Sequence, residues 1–589
     1  MLRNLVLGPS PELIRRDHRN VAINSFVSGR LFDTSHADTS HADISRGADG
    51  ERLPALLPDA FFQLDWQRYE TDLRAVNADM EDLLDRLVIL WPALVHRSPS
   101  RRSLKILLGH WLWRTICICH RHFRTARAAS MTQGFEQFAR LDEVGVDLHC
   151  HSLQAHSERV ASDMWQTIVL QRALICVSAT KAGPSHAPAI PDRTAGLAPL
   201  PAPAGPLRAV KNRLHRRARY AFTKTYLGRA HNVMVQLRLG QIPFALPSVP
   251  IPQIAPDPAL RHALFQALAP ETPWQQFLYR TCCDTIPTSL LELDPQRDLD
   301  FTALPEAPET VFTSNAFDGD EGFTHWLGGL IDKGKTRYIC GQHGHPYAGM
   351  KLGHVETEIA TADAFLSWGW HRPDSPVVPA FCFTKTGREL RPDPDGGILM
   401  LTRPPYNNFF LFDAEIEQEA YLENLHGFFS RIPASVKGKI RVKPHHSRLK
   451  STATFLHKLR ATGISVESAT ADFATLSGSA RLIVFGYESS GIAHALMNDF
   501  PFVFLMEQGL DRLEPAMRPL YQKLIDAGIA FCDAEQMADG IARIEQSVPG
   551  WWRSEPVRSA LSDFSEAFCR QSAHPVADLA SLLKVPAQV

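Results

Sequence analysis

Between residues 60 and 180, apolar side chains recur at i, i+3, i+4 and i+7. "MEDLLDRLVILWPALV", "SLKILLGHWLWRTICICHRHFRTARAA" and "ERVASDMWQTIVLQRALICVSA" carry this pattern, which predicts amphipathic helices. From residue 309 the period changes. "ETVFTSN", "KTRYICGQ" and "DAFLSWGW" read as strands, with a helix over "AFDGDEGFTHWLGGLIDKG". After the Pro/Gly-rich break "RELRPDPDGG", a second set begins. "GILMLTR", "GKIRVKP", "ISVES", "RLIVFGY", "PFVFLM" and "GIAFCD" read as strands, with helices over 414–430, 448–461, "GIAHALMND" and 511–526. Short apolar runs between amphipathic segments predict parallel sheets covered by helices. The expected class is α/β, with two Rossmann-like lobes facing a cleft and a helical N-terminal elaboration. The expected divisions are a mostly helical region over 1–180, a Pro/Ala-rich linker or insertion over 181–207, a first lobe over 208–390, a second lobe over 391–545 and a helical tail over 546–589.

Bulk composition narrows the function classes. Hydrophobic residues make up 44% and charged residues 21% of the 589, as in ordinary globular proteins. The net charge of −1 provides no global field to recruit nucleic acid. No apolar run reaches the ~18 residues of a spanning helix, and the N-terminus lacks a secretory pattern. The expected location is cytoplasmic, with peripheral contact at the inner membrane left open. The ten cysteines are scattered without paired C-x₂-C spacing and read as reduced thiols. "DTSHADTSHADIS", residues 33–45, is a polar duplication; His36 and His41 in it read as solvated loop rather than metal ligands. "RAVKNRLHRRARYAFTK", residues 208–224, holds seven Lys/Arg. It reads as a solvated helix face, and in a sharper reading as a contact for anionic lipid or a phosphorylated carrier.

In open α/β sheets, ligands bind beyond the carboxyl ends of the strands, and three segments fall there. "IRVKPHHSR" gathers Arg441, Lys443, His445, His446 and Arg448 at one strand end, a concentration suited to a phosphate leaving group. In "RLIVFGYESSGIAHALMNDFPFVFL", Ser489, Ser490 and Gly491 open a helix, where hydroxyls and backbone N–H groups form an anion site or a simple N-cap. The stretch has neither a nucleophile elbow nor a P-loop. "GQHGHPYAGMKLGHVETEIATADAFLSWGW" puts Gln342, His343, Gly344 and His345 on a cleft loop after a buried strand. His343 is the candidate general base or phosphate contact, with an expected pKa near neutrality. A metal set of His343, His345 and Glu356 is an alternative, although the spacing matches no known zinc motif. Trp368 and Trp370 read as core and hinge packing.

The block "VFTSNAFDGDEGFTHWLGGLIDKGKTRYICGQHGHPYAGMKLGHVETEIATADAFLSWGW" resembles the LIC12162 family of transferases, associated with O-antigen and other surface polysaccharides of bacteria. The shared pattern is T-S-N (Thr313 to Asn315), G-Q-H-G (from Gly341 to Gly349), an acidic segment (Glu356 to Ala360 with Asp363) and L-S-W-G-W (Leu366 to Trp370). "RVKPHHSR" and "YESSGIAHALMNDFPFVFL" are also similar to donor-binding segments of GT-B enzymes that use nucleotide-sugar or CDP-activated donors. The resemblance implies donor-phosphate contacts at Lys443, His445, Ser489 and Ser490. Three positions depart from it. His345 stands where relatives carry a second glycine, His446 replaces the proline of K-P-H-P, and His494 replaces a glutamate expected at the donor ribose.

The reading that follows is a metal-independent glycosyltransferase without a cofactor. It would move a sugar or related group from a nucleotide-activated donor to a surface glycan or lipid-linked acceptor. His343 and His445 are the catalytic candidates, and Arg441, Lys443, Ser489, Ser490 and Gly491 the phosphate site. Two alternatives stand beside it: a catalytically impaired scaffold of polysaccharide assembly, and a metal-dependent hydrolase using the loop 343–358.

Overall fold

The computed structural model of the protein describes residues 3–7, 19–23, 55–132, 137–141, 148–177, 181–186, 215–344, 347, 353–384, 389–405, 410–412, 414–445 and 450–584. The 33–45 duplication, residues 187–207, and His345 and His446 lie outside them.

The N-terminal region holds strands β1 (Arg3–Val6) and β2 (Arg19–Ala22), helices α1 (Trp66–Val95) and α2 (Arg101–Met131), strand β3 (Gln137–Leu141), helix α3 (Asp163–Val177) and strand β4 (Lys181–His186). The four strands form a parallel sheet in the order β2-β1-β3-β4. The region is mostly helical, as its sequence periodicity suggested, with this small sheet added, and Lys181–His186 is a strand within the stretch read as a linker or insertion. Short pieces of four to six residues leave too little alternation to read. Side chains starting both long helices cap them: Asp65 accepts from the Arg68 N–H and Ser100 from the Ser103 N–H. Helix α2 is buried on nearly every side, so its polar residues need partners. Arg121 donates to the carbonyls of Phe410 (3.3 Å) and Phe412 (2.9 Å). Arg102 pairs with Asp363 at 2.9 Å. The helix thus braces both of the lobes that follow.

The second sheet is built from β5 (Tyr220–Thr223), β6 (Thr310–Thr313), β7 (Arg337–Gly341), β8 (Ala364–Ser367) and β9 (Val377–Pro379), parallel and in simple sequential order. Around it lie α4 (Arg229–Arg238), α5 (Pro273–Thr285), α6 (Glu321–Asp332) and α7 (Gly353–Thr361). The end of the 208–224 segment is the edge strand β5, not a helix face. Two of its arginines are neutralised within the protein. Arg216 pairs with Glu306, and Arg219 grips Glu309 through two bonds of 2.6 and 2.8 Å.

The third sheet contains β10 (Gly397–Leu401), β11 (Ile440–Lys443), β12 (Ser465–Val466), β13 (Ala480–Phe485), β14 (Phe502–Leu505) and β15 (Ala530–Phe531). Its helices are α8 (Ala414–Arg431), α9 (Lys450–Ala461), α10 (Gly491–Met497), α11 (Arg518–Asp526) and α12 (Ala534–Ile544). The strand order is β12-β11-β10-β13-β14-β15, all parallel. Counted along the chain this is 3-2-1-4-5-6, the doubly wound Rossmann order, whose crevice opens where the winding reverses, between β10 and β13. The tail, α13 (Glu555–Phe568) and α14 (Pro575–Lys584), returns to the second sheet. Arg570 donates its N–H to the Trp368 carbonyl (2.9 Å), and the Cys382 N–H donates to the Arg570 carbonyl (2.8 Å). No helix among the described residues is long and apolar enough to cross a membrane.

Candidate active site

The crevice between β10 and β13 is closed at its base by backbone. The Gly486 N–H donates to the Leu401 carbonyl at 2.7 Å, and a side chain at Gly486 would meet the Tyr421 hydroxyl at 2.7 Å. That hydroxyl accepts from the Arg403 N–H at 2.9 Å, fixing the end of β10. Arg403 is a buried cation that sequence reading missed inside "GILMLTR". Its guanidinium lies 4.4 Å from the Tyr421 ring centre, donates to the Glu417 carbonyl at 2.5 Å and pairs with Glu507 at 3.6 Å.

The sequence-selected cations separate. Lys443 sits at the carboxyl end of β11, half-buried, and its Nζ donates to the Ala469 carbonyl at 3.1 Å. His445 is exposed on the following turn, which the Thr402 hydroxyl holds by accepting its N–H at 3.2 Å. Arg441 points elsewhere. Its guanidinium donates to Ser479 Oγ (2.7 Å) and the Leu476 carbonyl (3.1 Å), and lies 3.4 Å from Glu467. Ser479 and Leu476 precede β13, at the opposite end of the sheet from the crevice, and Glu467 follows β12. The structure therefore ties Arg441 to these partners: on a strand, a side chain two residues before the end reaches back as easily as forward.

At the start of α10 the two readings of the serines are divided between them. Ser489 Oγ accepts the Gly491 N–H at 3.0 Å. That N–H is thereby satisfied, so Gly491 does not offer it to a ligand. Its lack of a side chain is needed for packing, since a Cβ would meet Phe485 at 2.6 Å. Ser490 is exposed. His494, expected at a ribose, is 1% exposed and packs beside Phe473, 6.1 Å between ring centres. It presents no surface to a sugar.

The loop after β7 faces these serines from the other lobe. A Cβ on Gly344 would lie 3.4 Å from Ser490 Oγ. Gln342 holds that loop from below and is fully buried. Its Oε1 accepts from the Trp368 N–H (2.9 Å) and Trp370 Nε1 (2.8 Å), and its Nε2 donates to the Gly344 carbonyl (2.8 Å). Gln342 therefore positions the loop and does not line the cleft. Both tryptophans are core.

His343 occupies an aromatic cage. Tyr226 stacks at 6.0 Å and 18°, Phe317 lies at 6.3 Å, and the Tyr347 hydroxyl contacts the imidazole Nδ1. Tyr347 also reaches Glu358 Oε1 at 3.0 Å. Burial lowers the His343 pKa to about 4, against opposing contributions from Asp318 and a hydrogen bond to the Ser314 backbone. The near-neutral value expected from an exposed loop histidine is therefore overturned by desolvation. Burial pushes the Glu358 carboxyl well above its ordinary range, Tyr347 opposing and Asp318 adding to the shift. The hydrogen bonds then have one consistent direction. The Ser314 carbonyl only accepts, so the ring nitrogen facing it carries the proton. The other ring nitrogen accepts from Tyr347, and Tyr347 accepts from the protonated Glu358.

Two further contributors come from α2. Arg114 pairs with Asp318, and His110 stacks on Phe317 at 4.8 Å. Glu356, the sequence-selected carboxylate, turns away and engages Arg372 Nη1 with both oxygens at 2.9 Å. Two residues along a helix is about 200°, so Glu356 and Glu358 occupy opposite faces. Sequence inspection had no signal to prefer the second. Among the described residues no three His, Cys, Asp or Glu side chains converge as a metal-holding group.

The model of the LIC12162 family transferase matches residues 64–583. No curated protein matches the sequence. Among solved structures, the chain is similar to the spinosyn rhamnosyltransferase SpnG (13% identity, 47% of this chain and 72% of that one, TM-score 0.27). It is also similar to MurG of Acinetobacter baumannii (12%, 47% and 74%, 0.26). A third similarity is to a UDP-forming α,α-trehalose-phosphate synthase of Burkholderia vietnamiensis (10%, 60% and 80%, 0.28).

Proposed function

Because the chain belongs to the LIC12162 family of transferases, we propose that it transfers a glycosyl or related group between its two α/β lobes, in the GT-B manner. The donor is a nucleotide-activated sugar or CDP-linked group bound at the crevice of the third sheet. The acceptor is a surface glycan or lipid-linked carrier bound against the second sheet. The observation that carries this reading is the approach of Gly344 to Ser490, which faces the β7 loop with the β13 turn across one gap.

In this reading Lys443, His445, Ser489 and Ser490 hold the donor phosphates. The bond from the sugar to phosphate oxygen breaks, and the nucleotide leaves carrying the electron pair. Lys443 and the serine hydroxyls meet the charge that grows there. The acceptor hydroxyl forms the new bond and gives its proton to the His343 ring nitrogen that faces Tyr347, taking the place of the Tyr347 hydroxyl there. The imidazolium is disfavoured by burial but faces Asp318, whose charge opposes that cost. The donor is a substrate, and the proposal calls for no separate cofactor.

The test is release of free nucleotide from CDP-, CMP-, UDP- and GDP-linked donors in the presence of glycan acceptors. Release by the wild-type chain that drops at least a hundredfold in H343A supports the assignment, since general bases contribute about 10²–10⁴-fold. Release unchanged in H343A contradicts it. The buried His494 favours a second reading, a cleft that binds the nucleotide without turnover; saturable binding with no release on any acceptor would select it. The hydrolase reading is left without Glu356, which Arg372 engages.

A further inference from the structure

Helix α4 is turned inside out. A surface helix ordinarily buries its apolar stripe and shows polar residues to water. Here Val235 and Gln236 face inward, while Val233, Met234 and Leu237 are 43%, 52% and 52% exposed. Ala230, 233, 234 and 237 follow the i, i+3, i+4, i+7 spacing of one face, so the exposed residues form a continuous stripe. Ile242, just past the helix, extends it at 73% exposure. A single exposed leucine means nothing, but a contiguous apolar strip marks an interaction surface.

The charge around the strip identifies the partner. From Arg193 to Pro256 the sequence has ten Lys/Arg and no Asp or Glu, 64 acid-free residues in a chain of net charge −1. Within this stretch Arg216 and Arg219 are neutralised by Glu306 and Glu309. Arg229 and Arg238, at the two ends of α4, are exposed, and among the described residues neither has a carboxylate within ion-pair distance. An apolar strip bracketed by cations, in a segment of sequence without acids, is the pattern of a helix lying in a membrane interface. We propose that α4 and the turn through Ile242 dock on an anionic lipid surface. The strip enters the boundary between headgroups and acyl chains, and Arg229 and Arg238 meet the lipid phosphates. Tyr226, three residues before the helix, stacks on His343, so the docked face adjoins the loop after β7. The surface stands on exposure and charge alone and does not depend on which group is transferred.

Cosedimentation of the full chain with phosphatidylcholine vesicles, with and without phosphatidylglycerol, tests it. Binding is expected only with the anionic lipid, and raised salt should weaken it. R229Q/R238Q should bind about thirtyfold more weakly, at about fivefold per cation removed. V233S/M234Q/L237Q should lose binding while keeping its melting temperature, because these side chains already face water. Wild-type protein left in the supernatant overturns the proposal, as does a triple variant that binds like wild type. A self-associated form that the triple variant dissolves, with vesicles ignored by both, also overturns it and assigns the strip to a second copy.

Discussion

Replacing Glu358 with Gln keeps its shape and removes its titration. An exposed glutamate ionises near 4.5, and burial holds Glu358 protonated well above that. The raised value fixes the sign. Below about 4.5 both states are protonated, and the carboxyl contributes its full share to stability. Above that, only the unfolded chain ionises, so unfolding releases a proton and stability falls as pH rises. The slope is about 1.4 kcal/mol per pH unit until the folded carboxyl itself ionises. The E358Q variant lacks this slope. Its amide can still donate to Tyr347, and its second N–H lacks a partner at a roughly constant cost of about 1–3 kcal/mol. Whatever the offset between the proteins at low pH, E358Q must gain on wild type as pH rises. For a cooperative unit of 150–250 residues this is roughly 3–6 °C per pH unit. Calorimetric melts from about pH 5 to 7 read the gap directly. A gap that stays constant, or widens in favour of wild type, refutes a neutral Glu358 and with it the direction assigned to the hydrogen-bond chain.

The same geometry sets three further outcomes. If His343 accepts the acceptor proton, kcat/KM should fall only as pH drops through about 4, and H343N should abolish that acid limb; a limb between about 6 and 7 assigns the base elsewhere. Q342L should destabilise the protein by about 3 kcal/mol or more, measured by thermal or urea unfolding, because it strands the Trp368 and Trp370 donors. G344L should block donor binding, read by nucleotide titration, with an unchanged melting temperature, since the added side chain enters the gap before Ser490; normal affinity would mean that this gap is not the donor path.

Much of the fold was legible because the third sheet is written in unambiguous runs: "GILML", "RLIVF" and "PFVFL" are buried strands with helices between them. The edge strands β5 and β9 were not, since "YAFT" follows a run of arginines and "VVP" is three residues long. Strand-end logic selected Lys443, His445, the serines and His343, which the structure places after the carboxyl ends of β11, β13 and β7. It also selected Arg441 and Glu356, but periodicity places a side chain on a face and does not say which distant partner will engage it. Ser479 and Arg372 decide those two. Nothing in the local pattern distinguishes His110, Arg114 or, within the acidic segment, Glu358. They matter only because α2 crosses beneath the loop after β7, a tertiary fact with no local signature.

Calorimetric titration of the full chain with CDP-, CMP-, UDP- and GDP-linked sugars tests the central claim most directly. The account predicts saturable binding to at least one donor class, weakened at least about tenfold by K443M, as expected for losing one charge-assisted contact, and unchanged by R441M. A folded protein that binds none of them, or one in which R441M costs as much as K443M, would contradict a donor site between β10 and β13.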